Sequence, residues 1–309
     1  MLPRVPVFNF AAATLALALS WAVSPAAAQA EPPAKKFVVV CSTTQIADFA
    51  RQIGGDRWEV VCVLAPGQDP HLYQIKPDDT RTVQRADLCL ENGWHLEGKE
   101  WMRTLATDAG KPLVTCIEGV SPLELEADGE TVPDPHAWFS PKNAAVYVRN
   151  ITHGMAEIDA PHAAEYQARA ELYLAQLRTL DAWIQRQVNA VPASRRVLVT
   201  SHDAFNYFCA AYGFRSAAPV GWSTGEEAGG GITPQRQQET IDSIRSFGVP
   251  AIFVETSVNP KMVEEIAKAA GVRVGGELYS DSMGPAGSAG ETYLGMMREN
   301  VLRIVSALQ

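Results

Sequence analysis

Four residues of this chain have types and neighbours that could hold a metal ion. His71 lies in GQDPHLYQIKP, His136 in PDPHAWFSP and His202 in VLVTSHDAF, and Asp281 ends the run GGELYSDS. Three imidazoles and one carboxylate form a nitrogen and oxygen donor set that zinc takes well and manganese can use. A bidentate Asp281 would raise the coordination number to five. The proline before His71 and before His136 fixes a turn and removes a backbone donor, so each imidazole is placed by rigid backbone. Each residue also has a plainer reading. A lone histidine after a strand is most often a hydrogen-bonding loop residue, and aspartate is a common strand-end or cap residue.

The other titratable residues divide in the same way. His153 and His162 fit surface positions on helices. His95 sits beside Trp94 in ENGWHLE, just past a strand end, and is read as a loop residue. Glu255 in FVETS either orients a ligand or caps buried backbone. GEEAGGGI (225–232) has no basic partner and does not form a phosphate loop, so it reads as a flexible loop near the cleft. The five cysteines, Cys41, Cys62, Cys89, Cys116 and Cys209, contain no CxxC pair. Without thiolate spacing there is no structural zinc finger. Four of the five lie in or beside apolar runs and read as small core residues, with a disulfide between neighbouring strands left open.

The elements that must position these groups alternate in type. FVVVCS (37–42), WEVVCVLA (58–65), ADLCLENG and PLVTCIEG read as strands, with helical patterns in TTQIADFARQIGG and in KPDDTRTVQRA, whose start is marked by Pro77 and Asp78. Such alternation predicts βα units and a parallel sheet, in which ligands gather beyond the carboxyl ends of the strands. From 161 to 190 the pattern changes. Tyr166, Ala170, Tyr173, Leu174, Leu177, Leu180 and Ile184 recur at three and four residues, which predicts one long amphipathic helix of about 40 Å. Alternation then resumes: RRVLVTS, PAIFVETS and GGELYSDS as strands, DAFNYFCAAYG, TPQRQQETIDSIRSFG, PKMVEEIAKAAG and ETYLGMMRENVLRIVSAL as helices. Thr233 and Pro234 mark the start of the second of these helices.

Composition sets the compartment and excludes some partners. The first thirty residues carry a single charge, Arg4, then an apolar run and an Ala-rich end, which reads as a secretory signal peptide cleaved after Ala28 or Ala30. No cysteine stands at that end to carry a lipid, so a free periplasmic protein without a stable membrane anchor is expected. The formal charge of -9 and the lack of any Lys/Arg cluster argue against nucleic acid. A length of 309 residues favours two domains.

At these residues the chain resembles the zinc/manganese solute-binding proteins of ABC importers, the cluster A-I metal-receptor family. The matching pieces are DPHLYQIKPDD, NGWHLEG, DPHAWFSPKNA, TSHDAFNYFCAAYGF, FVETSVNPKMVEEIAK and GGELYSDSMGPAGSAGETYLGMMREN. The family's four ligand positions fall on His71, His136, His202 and Asp281. The resemblance implies two α/β lobes of parallel-sheet βα units, 36–160 and 191–309, joined by one long rigid helix, 161–190, with the metal in the interlobe cleft. It implies one divalent ion, Zn2+ or Mn2+, as transported ligand, and a membrane permease as partner of a monomeric receptor. A stiff strut should limit hinge motion. In this family manganese-specific members often carry Glu at the third ligand position and zinc-binding ones His, so His202 favours zinc. The short LEADGETVPDPH segment departs from the His-rich loop of many zinc receptors.

Two other functions are weighed against this one. A zinc-dependent hydrolase or lyase could use three histidines and a bound water. Asp281 takes the place of that water, and no HExxH helix accompanies the histidines. A surface adhesin has no support in the residues.

Overall fold

The computed structural model describes residues 36–127, 130–217, 234–256 and 260–309, together with Met1. The signal-peptide reading, the GEEAGGGI loop and the Thr233 cap lie outside the described residues.

The N-terminal lobe is built on a four-stranded parallel sheet of order β2-β1-β3-β4. Its strands are β1 (Phe37–Cys41), β2 (Trp58–Cys62), β3 (Leu88–Glu91) and β4 (Leu113–Thr115). β1 and β3 are central and apolar, with Val39, Val40, Cys41, Leu88, Cys89 and Leu90 all buried. Strands covered on both faces lack the alternating pattern of a half-exposed sheet. Helix α1 (Thr44–Gly54) buries Ile46, Phe49, Ala50 and Ile53 on one face. It stops where Gly55 takes φ 55°. Helix α2 (Pro77–Gln84) starts with proline in its first turn, and the Asp79 carboxylate accepts from the Lys76 backbone N–H at 2.7 Å. Helix α3 (Trp101–Asp108) and helix α4 (Pro141–Ile158) complete the lobe. Among the described residues the antiparallel pairing is a hairpin, β5 (Glu124–Ala127) with β6 (Glu130–Pro133).

The long helix α5 runs Ala163–Val188, preceded by a 3-10 turn at Ala160–His162. Its 26 residues span about 39 Å at about 1.5 Å per residue. The buried stripe comprises Tyr166, Ala170, Tyr173, Leu174, Leu177, Leu180, Ile184 and Val188. Near its start, the Tyr166 hydroxyl accepts from Trp58 Nε1 at 3.0 Å. Near its end, Asp181 accepts from the Tyr212 hydroxyl at 2.8 Å. One helix therefore grips both lobes.

The C-terminal lobe carries two parallel strand pairs: β7 (Val197–Val199) with β8 (Arg215–Ala217), and β9 (Ala251–Glu255) with β10 (Arg273–Leu278). Around them pack α6 (Asn206–Tyr212), α7 (Pro234–Phe247), α8 (Pro260–Ala270) and α9 (Tyr293–Leu308). All five cysteines are free thiols; Cys62 is half-buried and the other four are buried. Among the described residues no helix is long and apolar enough to cross a membrane.

The lobes also meet away from α5. Gln45 Nε2 donates to the Ser280 carbonyl at 3.0 Å, Met283 N to Thr44 Oγ1 at 2.8 Å, and Gly67 N to Ser282 Oγ at 2.7 Å. Asp48 on α1 accepts from the Tyr293 backbone N–H at 2.9 Å.

Candidate metal centre

The structure brings the four sequence-selected residues together. One donor atom from each of His71, His136, His202 and Asp281 lies within 4.8 Å of the others. His71 follows β2 by nine residues, His136 follows β6 by three, His202 follows β7 by three and Asp281 follows β10 by three. Two of the four thus come from each lobe. The imidazole planes are inclined at 54°, 67° and 82°, so the rings converge edge-on rather than stack.

Three of the donor separations match a small tetrahedral ion, and that from His71 to Asp281 is longer. His71 Nε2 is 3.3 Å from His136 Nε2. Asp281 lies 3.4 Å from His136 Nε2, 3.3 Å from His202 Nε2 and 3.9 Å from His71 Nε2. Zinc bonds of about 2.0–2.1 Å arranged tetrahedrally place their donors about 3.3–3.4 Å apart. Both carboxylate oxygens of Asp281 and Nε2 of His202 are buried without a hydrogen-bond partner. Leaving buried carboxylate oxygens without hydrogen bonds costs about 1–3 kcal/mol or more. A cation at the centre of the four donors removes that cost.

Two of the histidines are held by the same local device. In each D-P-H tripeptide the aspartate Oδ1 accepts from the histidine backbone N–H two residues on, at 2.7 Å for Asp69 and His71 and 2.9 Å for Asp134 and His136. This is an Asx turn with proline in the middle, a pre-set bend. Asp134 does more: its Oδ1 is also 2.8 Å from His136 Nδ1, and its Oδ2 accepts from Asn206 Nδ2 at 3.1 Å. It fixes the His136 ring with Nε2 aimed at the centre and links that ring to the C-terminal lobe.

Glu255 performs the corresponding task for His202, and both readings of it hold. Its Oε1 accepts from Ser201 Oγ at 2.9 Å and from the His202 backbone N–H at 3.0 Å, while Oε2 stands 2.6 Å from His202 Nδ1. His71 is supported through its backbone. Gly98 packs directly on the His71 carbonyl oxygen and leaves no room for a side chain, since a Cβ at Gly98 would overlap that oxygen. Trp101 Nε1 donates to the Pro70 carbonyl at 3.0 Å. His71 is also the most open of the four, its side chain 22% exposed against 8% for His202 and 2% for His136.

Electrostatics follow from this packing. Burial pushes the His71 imidazole down to about 4, so it is neutral and ready to donate at pH 7. Burial also opposes charge on His202, but the Glu255 and Asp281 carboxylates overcome it and raise that imidazole well above its ordinary value. For Asp281, burial alone would raise the carboxyl; the imidazoles, His202 foremost, hold it below the usual carboxylate range.

The remaining histidines stand apart. His95 is exposed. His153 pairs with Glu157 at 3.3 Å, and His162 Nδ1 with Asp159 at 2.9 Å. Sequence reasoning passes over Asp69, Asp134 and Gly98. The repeated D-P-H tripeptide is the signal that points to the first two.

Two lobes on a helical strut, with a buried donor set drawn equally from each lobe, define a receptor for a small ion. The sequence profile described as "Zinc-uptake complex component A periplasmic" matches residues 39–307, and the chain belongs to that family. The zinc-binding protein TroA of Treponema pallidum is 37% identical over 279 residues, 88% of this chain and 89% of TroA. Its solved structure superposes with a TM-score of 0.80 at 35% identity, covering 88% of this chain and 99% of that one. The manganese-binding lipoprotein MntA of Bacillus subtilis is 36% identical over 88% of this chain and 89% of its own length. The iron-binding protein YfeA of Yersinia pestis is 35% identical over 96% of this chain and 95% of its own length.

Proposed function

We propose that this protein binds one divalent transition-metal ion in the periplasm through His71, His136, His202 and Asp281 and delivers it to the permease of an ABC importer. The observation that carries the reading is the buried Asp281 carboxylate, without a hydrogen-bond partner and ringed by three imidazoles at 3.3–3.9 Å. Four protein donors close the coordination shell of a tetrahedral ion, which suits holding and handing over; catalytic zinc sites keep a position for water. Membership of a transport family agrees with this division. Zinc is the favoured cargo, because three imidazoles and donor spacings near 3.3 Å fit it better than manganese, which favours oxygen donors and higher coordination. Relatives of nearly equal identity are named for zinc, manganese and iron, so overall similarity does not choose.

The same reading takes residues 1–30 as a cleaved leader, 36–160 and 191–309 as the lobes and 161–190 as the link, in a monomer. Native mass spectrometry with elemental analysis, after purification from metal-balanced cells, tests it. One zinc per chain is expected, with loss of the ion in His202→Ala at chelator concentrations the wild-type chain withstands. A metal-free wild-type chain, or unchanged retention in His202→Ala, would overturn it.

A further inference from the structure

Both D-P-H turns of the N-terminal lobe are gripped by one other loop. That loop, 92–100, leads from β3 to α3. At its start Asn92 Nδ2 donates to the Pro135 carbonyl at 3.0 Å, one residue before His136. Asn92 Oδ1 accepts from the Tyr147 hydroxyl of α4 at 2.8 Å, so the Asn92 side chain is held from both sides. Toward its end Gly98 packs on the His71 carbonyl oxygen. Trp101, the first residue of α3, donates through Nε1 to the Pro70 carbonyl, one residue before His71.

The loop does not take the shape its residues prefer. Trp94, His95 and Glu100 have φ of 50°, 61° and 55°, in the left-handed region that residues other than glycine rarely enter. Such conformations persist only where the surrounding contacts over-determine them. Those contacts converge on Glu97, which is buried. Its Oε1 accepts from the Ser42 hydroxyl at 2.7 Å and from the Asn92 backbone N–H at 2.6 Å, and its Oε2 from the Gly93 backbone N–H at 3.2 Å. Its carbonyl accepts from the Trp101 backbone N–H at 3.2 Å. Glu97 is therefore bonded to Asn92 and to Trp101, the two residues that reach the turns, and is anchored through Ser42 just past β1. Burial pushes its carboxyl up to about 7, against the three donors, which favour the charged form. An apolar side chain would carry no such cost, but it could not direct the Asn92 and Gly93 backbone.

We propose that Glu97 is a positioning residue for the metal centre: by fixing the loop 92–100 against Ser42, it sets the Pro70–His71 and Pro135–His136 turns relative to each other. The two imidazoles that the N-terminal lobe contributes are thereby held with their Nε2 atoms 3.3 Å apart. The proposal rests on the receptor reading above and adds what aligns two of its donors. His202 is held separately, by Glu255.

The test reads each imidazole separately. Glu97→Gln keeps the volume but, with its amide oxygen on Ser42 and Asn92, sets an NH2 group against the Gly93 N–H. Zn2+ affinity in a competitive chelator titration should fall by about tenfold or more. In long-range 1H–15N correlation spectra of the 15N-labelled chain at saturating Zn2+, the His71 and His136 ring signals should move and those of His202 should stay. Asp159→Asn, which lowers stability at the α4–α5 junction without touching the loop, should keep wild-type affinity and all three sets of signals. His71 and His136 signals that stay in place in Glu97→Gln would overturn the proposal. Equal movement of all three histidines, or the same losses in Asp159→Asn, would overturn it too, since either marks a general loss of stability. Should Glu97→Gln not fold, Ser42→Ala, which removes one donor and leaves the carboxylate, decides by the same two measurements. A wild-type chain that binds neither Zn2+ nor Mn2+ would overturn the receptor reading itself, and this proposal with it.

Discussion

Asp134 Oδ1 lies 2.8 Å from His136 Nδ1 while accepting the His136 backbone N–H at 2.9 Å. One oxygen thus sets both the backbone turn and the ring orientation of a donor histidine. An imidazole that donates Nδ1–H to a carboxylate keeps Nε2 free as donor and gains basicity. Asp134→Ala is expected to weaken metal binding by about 10–100-fold. Competitive chelator titration measures it, and an affinity within twofold of the wild-type value would show that the site needs neither contact of that carboxylate.

Glu255 permits a sharper test, because Glu255→Gln keeps the volume and reverses one donor. With the amide oxygen retained on Ser201 Oγ and the His202 backbone N–H, the amide NH2 faces His202 Nδ1 and donates to it. That arrangement puts the ring proton on Nε2, the atom that should bind metal. Affinity is expected to fall by about 10–100-fold with little change in secondary structure. Isothermal titration together with circular dichroism separates loss of the ligand from loss of the fold.

The candidate site is legible in the sequence because His202 and Asp281 stand at the ends of runs that read as strands, RRVLVTS and GGELYSDS, and because a proline sets the turn before His71 and before His136. The strut is legible for a related reason: 26 residues of unbroken helical periodicity have no other reading. What escapes is structure without a local pattern. Strand β8 has three residues and carries no apolar run of its own, and the β5–β6 hairpin joins two four-residue segments, ELEA and ETVP, too short to stand out. Gly98 escapes because its role is a contact with His71, 27 positions away in sequence, rather than a turn of its own.

That contact predicts a difference between two glycines. Gly98 has φ 50° and faces the His71 carbonyl oxygen, whereas Gly67 has φ 82° and a Cβ there would meet nothing within 4 Å. Gly67→Ala should cost about 1 kcal/mol of stability through backbone strain. Gly98→Ala adds a steric clash that must displace the His71 backbone, so metal affinity should fall at least tenfold as well. Thermal melts and chelator titrations of both variants check this; equal affinities would remove Gly98 from the support of His71.

Asp159, where α4 gives way to α5, predicts how the strut responds to acid. Burial opposes its charge, but hydrogen bonds from Tyr166, His162 and Arg57 outweigh it and lower the carboxyl to about 2. The Tyr166 hydroxyl donates at 2.6 Å and Arg57 Nε at 3.0 Å. A carboxyl whose folded value lies below its unfolded value of about 3.9 stabilises fully above that pH. The contribution is then lost as pH falls toward about 2. Asp159→Asn should lower Tm at pH 7 and flatten the fall in Tm between about pH 4 and 2. A parallel downward shift at every pH would show that the carboxylate charge is not the source.

The clamp around Asp281 bears on how the ion leaves. Asp281 belongs to the C-terminal lobe by sequence, but its neighbours Ser280, Ser282 and Met283 hydrogen-bond to Gln45, Gly67 and Thr44 of the N-terminal lobe. Tyr293 N adds a bond to Asp48. Wide hinge opening would break all four and bend a 26-residue helix that packs on both lobes. At about 0.5–1.5 kcal/mol net for each hydrogen bond, the four together oppose opening by a few kcal/mol before the helix is counted. Metal release is therefore expected to proceed by local movement of loops and a small adjustment of the lobes. Small-angle scattering of metal-loaded and chelator-stripped protein should give radii of gyration within about 0.5 Å of each other, an order-of-magnitude bound on motion confined to loops of a packed domain. A change of about 2 Å or more, by the same size scale, would show a hinge that these bonds do not restrain.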